Sequence, residues 1–132
     1  MSRILALDHG SSRCGVALSD PTGSIASPLE AVQKPDSKAG YRAIVDICER
    51  NEVTKVVVGL PISLSGNETD QTDAAKAFAS QLERRLQGRA EVVLIDERLT
   101  TSEARRVGGS SDEDSRAAAV LLERWLAIQE QG

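Results

Sequence analysis

Aromatic side chains are almost missing from this chain. Tyr41, Phe78 and Trp125 are the whole set in 132 residues. The core must then be aliphatic and alanine-rich, and the scarcity argues against a platform on which bases of single-stranded nucleic acid stack. Cysteine is equally rare. Cys14 and Cys48 sit in apolar surroundings without metal-type spacing, so both read as small buried hydrophobes. Long apolar runs are absent too. The run at residues 4–7 is far too short for a signal peptide, and no stretch approaches membrane-spanning length. The expectation is a cytoplasmic protein with no membrane partner. Positive charge is also in short supply, with 16 Lys and Arg against 20 Asp and Glu, a net charge of −4. A nucleic-acid partner would have to be met by a local cluster rather than by the whole surface. Two clusters exist, Arg84-Arg85 with Arg89 and Arg98 with Arg105-Arg106, and either is also what a solvated helix face looks like.

What is present is enough for one domain with a real core. Residues 3–9, 13–20 and 26–33 read as three strands joined by the turns Gly10-Ser11-Ser12 and Pro21-Thr22-Gly23, and Pro28 puts the third at a sheet edge. Ala39, Ala43, Ile44, Ile47 and Cys48 have helical spacing over 39–51. Lys55-Val56-Val57-Val58-Gly59 is a strand buried on both faces, closed by Gly59-Leu60-Pro61. A helix over 69–86 turns Ala74, Ala75, Phe78, Leu82 and Leu86 inward. Residues 91–97 form another buried strand, ending in Asp96-Glu97. Thr100 and Glu103 make a capping-box pattern for a short helix that stops at Gly108-Gly109. A last helix runs from Ser111 or Asp112 to about Gln129, with Ala118, Leu121, Leu122, Trp125 and Leu126 inward. The order β-β-β-α-β-α-β-α predicts an α/β fold: a mixed five-stranded sheet with helices on both faces. Ligands of such sheets gather at the carboxyl ends of the central strands.

Three acids are candidates to converge there: Asp8, one of Asp96 and Glu97, and Asp114 on the last helix. Asp8 closes the first apolar strand, where a lone carboxylate is costly and usually has a task. Asp96 and Glu97 close the fifth strand, and alternation sends them opposite ways, so one of the two joins Asp8. Asp114 opens the last helix, one turn before Ala118. Carboxylates sharing a small hollow repel one another, and Mg²⁺ or Mn²⁺ relieves the repulsion because hard cations prefer oxygen ligands. A pair of such ions, roughly 3.5–4 Å apart, suits phosphodiester cleavage. Singly, each acid has a plainer reading: Asp8 as a turn residue, Asp96 as an acceptor of strand-end amides, Glu97 as a partner of Arg98 or Arg106, and Asp114 as a favourable charge at a helix N-terminus.

Four blocks carry a family resemblance. They are Leu7-Asp8-His9-Gly10-Ser11-Ser12-Arg13-Cys14-Gly15-Val16-Ala17 with Ser19-Asp20; Val58-Gly59-Leu60-Pro61 with Gly66 and Phe78-Ala79; Asp96-Glu97-Arg98-Leu99-Thr100-Thr101 with Glu103-Ala104; and Asp114-Ser115 leading to Ala118 and Leu121-Leu122-Glu123. In this order the chain resembles the YqgF family, also called RuvX, of RNase H-like nucleases. The resemblance implies an RNase H-like fold and a metal-dependent nuclease linked to 5′-end processing of the small-subunit (16S) rRNA precursor. The family's older label is a Holliday junction resolvase-like protein, so branched DNA is the alternative substrate. By motif, Asp8, Glu97 and Asp114 become the metal-binding and catalytic acids, with Asp96 the alternate. Arg13 and Arg98 become phosphate contacts, with Arg105 and Arg106 further out. Gly10 and Gly15 allow the turn, and Gly59 and Pro61 line the site. Structured RNA, and ribosomal particles that present it, are the implied partners. Two features depart from the pattern. Residues 107–113 form a short acidic loop where relatives carry a longer basic one, and His9 takes a place more often apolar or aromatic, where a packed or exposed side chain is expected before a ligand.

Two other classes remain. Asp-x-Gly before a hairpin also opens actin-like kinases, which clasp ATP between two such domains, and this chain has room for one. The same fold without turnover would serve as an RNA- or ribosome-associated module.

Overall fold

The computed structural model describes residues 3–61, 65–97 and 111–131, with side chains at 115–129 of the last segment. Three strands, β1 (Arg3–His9), β2 (Arg13–Ser19) and β3 (Ala26–Gln33), lead into helix α1 (Lys38–Arg50). Then follow β4 (Val53–Leu60), α2 (Asp70–Leu86), β5 (Glu91–Asp96) and α3 (Ser111–Gln131). The sheet order is β3-β2-β1-β4-β5. β2 pairs antiparallel with β1 and β3, whereas β4 runs parallel to β1 and β5. The fold is therefore the mixed five-stranded α/β sheet that the sequence pattern predicts, with Pro28 on an edge strand. The short helix expected after Thr100 lies outside the described residues.

Strand alternation sorts the core into two layers. Leu5, Leu7, Val16, Val56 and Val58 pack under α1 and α2 with Ile44, Phe78, Leu82 and Leu86. Ala6, Ala17, Val57 and Ile95 face α3 with Ala118, Leu121 and Leu122. Large side chains take one face and alanines much of the other. Small residues let the α3 backbone approach the sheet closely. Val56, Val57 and Val58 are fully buried, as a central strand covered on both faces requires. Cys14 and Cys48 are buried and unbridged, and burial pushes the Cys48 thiol up to about 12.

Two expected inward residues differ. The inward stripe of α1 is Gly40, Tyr41, Ile44 and Cys48, and Ala39 is exposed. Tyr41 brings more area to the core than Ala39 and sets the helix rotation. Ala74 is also exposed and stands at the edge of a hollow, because Thr72, Ala75 and Phe78 form the buried row of α2.

Candidate active site

One hollow of about 460 Å³ opens at the carboxyl ends of β1, β4 and β5. Asp8 and Glu97 line it, with Gly10, Ser11 and Arg13 of the first turn, Pro61 after β4, Gln71 and Ala74 of α2, and Ala117 of α3. His9 and Asp36 complete the wall.

Each acid is placed by local geometry. Asp8 shares the sheet face of Ala6, the face covered by α3. It stands directly opposite Gly15 of β2. Opposed residues of an antiparallel pair project to one side, so Gly15 puts no side chain of β2 beside Asp8. Gly15 thus sits inside β2 rather than in the turn; the turn needs Gly10, where a Cβ would lie 2.8 Å from the Arg13 carbonyl oxygen. The second acid rests on another missing side chain. A Cβ on Gly59 would lie 2.5 Å from Glu97 Oε1 and 2.7 Å from Glu97 Cγ. Gly59 follows Val57 on the α3 face, so the Glu97 carboxyl lies across β4 on Asp8's side of the sheet. Glu97 is only 8% exposed. Asp96, one residue earlier, is half-buried and outside the hollow's lining.

The start of α3 is tied to the same place. The register of β2 and β3 shifts between Cys14 and Val16, and the Val16 N–H donates to Ser115 Oγ at 3.4 Å. Ser115 is 1% exposed. The Val16–Ser115 bond ties the N-terminal part of α3 to β2, and Ala117 of the same helix reaches the hollow. The side chain of Asp114, and Arg98, Arg105 and Arg106, lie outside the described residues. Among the described residues no group of three or more His, Cys, Asp or Glu side chains is close enough to hold a metal ion.

The β4–α2 side is held by caps. Thr69 and Thr72 form a reciprocal capping box at the start of α2, and the Thr72 hydroxyl also donates to the Pro61 carbonyl. On the opposite wall His9 is packed. Its ring stacks on Phe78 with centroids 4.5 Å apart, and Phe78 stacks on Tyr41 at 5.4 Å. His9 Nε2 meets Asp36 Oδ1 at 2.5 Å. Sequence reasoning passed over Asp36, Gln71 and the anchoring role of Ser115. A buried serine in an otherwise apolar helix stripe was the one available signal.

The fold is that of RNase H-like nucleases. Solved Thermus thermophilus RuvC superposes with a TM-score of 0.60 at 14% identity, covering 96% of both chains. RuvC in complex with a Holliday junction substrate gives 0.62 at 11% identity, over 98% of this chain and 97% of that one. Within that class the chain belongs to the RuvX family, whose model, described as Holliday junction resolvase, matches residues 2–128. Relatives bear the name "Putative pre-16S rRNA nuclease". One from Corynebacterium jeikeium is 38% identical, covering 94% of this chain and 85% of its own length. Those from Koribacter versatilis and Maridesulfovibrio salexigens are 36% and 35% identical, covering 96% and 95% of this chain and 81% and 98% of theirs.

Proposed function

We propose that this chain is a divalent-metal-dependent endonuclease that hydrolyses phosphodiester bonds in the precursor of 16S rRNA, at its 5′ end. The whole chain acts as one domain. The observation that carries the reading is that Asp8 and Glu97 line one hollow, with Glu97 lying against the bare backbone of Gly59 and Asp8 opposite Gly15. A strand-end carboxylate held over a bare glycine, facing a second carboxylate in a water-accessible hollow, is an all-oxygen donor set, and this fits Mg²⁺ or Mn²⁺. Asp8 and Glu97, joined by Asp114, would hold two ions, and Asp96 would not. The ions supply charge neutralisation and polarisation of water and leaving oxygen in phosphodiester hydrolysis.

The protein's own groups do the rest. Pro61, pinned by Thr72, and the Gly10 turn shape the walls. Arg13 offers its guanidinium to a phosphate at the mouth, and the motif gives Arg98 the same role. The pre-rRNA names of relatives at 34–38% identity favour RNA over branched DNA as substrate. Ribosomal particles are the proposed means of presenting it.

The test is cleavage of a precursor 16S 5′-end RNA and of a four-way DNA junction, side by side, with Mg²⁺, Mn²⁺, Ca²⁺ or EDTA. Turnover should appear with Mg²⁺ or Mn²⁺, on the RNA first. Ca²⁺, with longer bonds and looser geometry, should support none. Undiminished hydrolysis in excess EDTA would refute the metal reading, and junction cleavage without RNA cleavage would reassign the substrate.

A further inference from the structure

We propose that the substrate strand leaves the hollow over the β3–α1 loop, its phosphates meeting a positive ridge formed by Lys34, Lys38 and Arg42. This rests on the nuclease reading and adds a route for the nucleic acid that the family motifs do not contain.

The ridge begins at the hollow. The Lys34 N–H donates to the Ser12 carbonyl at 2.8 Å, beside Gly10, Ser11 and Arg13 of the lining. Lys38 and Arg42 follow at four-residue spacing, so both lie on one face of α1, about 6 Å apart along its axis. All three are exposed. Asp46, one turn further on, ends the positive run.

These cations are unspent. Lys55 pairs with Glu91, Lys76 with Glu68, and Arg89 with Glu49. Among the described residues Lys34, Lys38 and Arg42 have no carboxylate partner, and the acid within their stretch, Asp36, is engaged by His9. Two like charges four residues apart on a helix repel, which costs the free protein stability that a polyanion would restore. In a chain of net charge −4, such a cluster at the mouth of the site is a local attraction against an unfavourable overall field.

The ridge is also rigid. Ser37 caps α1, its Oγ accepting from the Gly40 N–H at 3.0 Å and donating to the Lys34 carbonyl at 2.7 Å. A Cβ on Gly40 would run into that same carbonyl oxygen, so the glycine lets the loop seat directly on the helix. Lys34 itself has φ +47°, a left-handed conformation that glycine or asparagine would adopt at less cost.

The experiment is binding of a short unstructured fluorescein-labelled RNA, and of DNA of the same sequence, in EDTA across a salt series. Wild type is compared with Lys34→Glu/Lys38→Glu/Arg42→Glu and with a control of equal charge change, Arg50→Glu/Arg84→Glu/Arg124→Glu. The ridge variant should bind at least tenfold more weakly, and its log Kd against log salt slope should flatten by about 2, as expected for three lost single-strand phosphate contacts. The control should keep the wild-type slope. Lys34→Gly guards against a folding artefact, because it relieves the backbone and removes a cation: its Tm should be no lower than wild type while binding weakens. Equal losses in ridge and control variants, or an unchanged slope in the ridge variant, would overturn the ridge and leave the nuclease reading standing. Equal weakening on RNA and DNA marks backbone recognition, and a loss confined to one would overturn a phosphate-only contact. Wild type that binds neither probe would overturn the ridge, while the nuclease reading stands or falls with the cleavage assay on the precursor RNA.

Discussion

Gly59 decides more about the site than either carboxylate's own neighbours in sequence. A methyl there would lie 2.5 Å from Glu97 Oε1 and 2.7 Å from its Cγ, too close for the carboxyl to stay where it is. Gly59→Ala should therefore lower cleavage at least tenfold, about 1.4 kcal/mol in the barrier, by displacing Glu97 while Asp8 stays in place. Steady-state cleavage rates beside a thermal melt would check this; full activity would mean that Glu97 does not act from where it lies. Glu97→Gln should damage activity far more than Asp96→Asn, and equal losses would remove the basis for choosing Glu97. Pattern alone left that choice open, because alternation says that the two acids diverge but not which face the hollow occupies. Asp8 was legible for a different reason: a carboxylate closing so apolar a strand is too costly to be incidental. His9–Asp36 was not legible, since the partners are 27 residues apart and no periodicity links them.

Elements were readable where burial wrote a period into the sequence, and less so where one contact sets an angle. All five strands and the three long helices follow the apolar pattern, yet α1 is rotated to bury Tyr41 instead of Ala39. The anchoring of α3 rests on Ser115, a single hydroxyl under a strand irregularity. Ser115→Ala would leave the buried Val16 N–H unpaired, at a cost of about 1–3 kcal/mol, and would lower cleavage further by loosening the turn that carries Asp114. Denaturant unfolding and kinetics on one preparation separate the two effects. The β2–β3 turn depends on Asp20, which accepts the Ser24 and Ile25 N–H groups at 2.8 Å each and the Thr22 hydroxyl. Those bonds, the Thr22 hydroxyl first, hold its carboxyl down at about 2. An acid with a depressed folded-state value stabilises above its unfolded value and loses that contribution as pH falls through the folded one. Asp20→Asn should thus melt below wild type at neutral pH, with the gap closing between pH 4 and 2. A gap that persists at pH 2 would mean that the turn does not depend on the charge.

For the molecule as a whole, the acidic balance makes nucleic-acid binding a matter of where the few cations stand. Arg105→Glu with Arg106→Glu should weaken RNA binding on all sequences alike and flatten the salt slope. Unchanged affinity would leave that cluster a solvated face and throw the grip onto Arg13 and the α1 ridge. No helix among the described residues is long and apolar enough to cross a membrane. The central claim, that the hollow is a metal-dependent hydrolytic site built on Asp8, has one direct measurement. Asp8→Asn, nearly isosteric but unable to neutralise a metal ion, is assayed with Mn²⁺ on the precursor RNA alongside its melting curve and RNA affinity. Cleavage should vanish while fold and binding persist. A variant that retains most of the wild-type turnover would contradict the account.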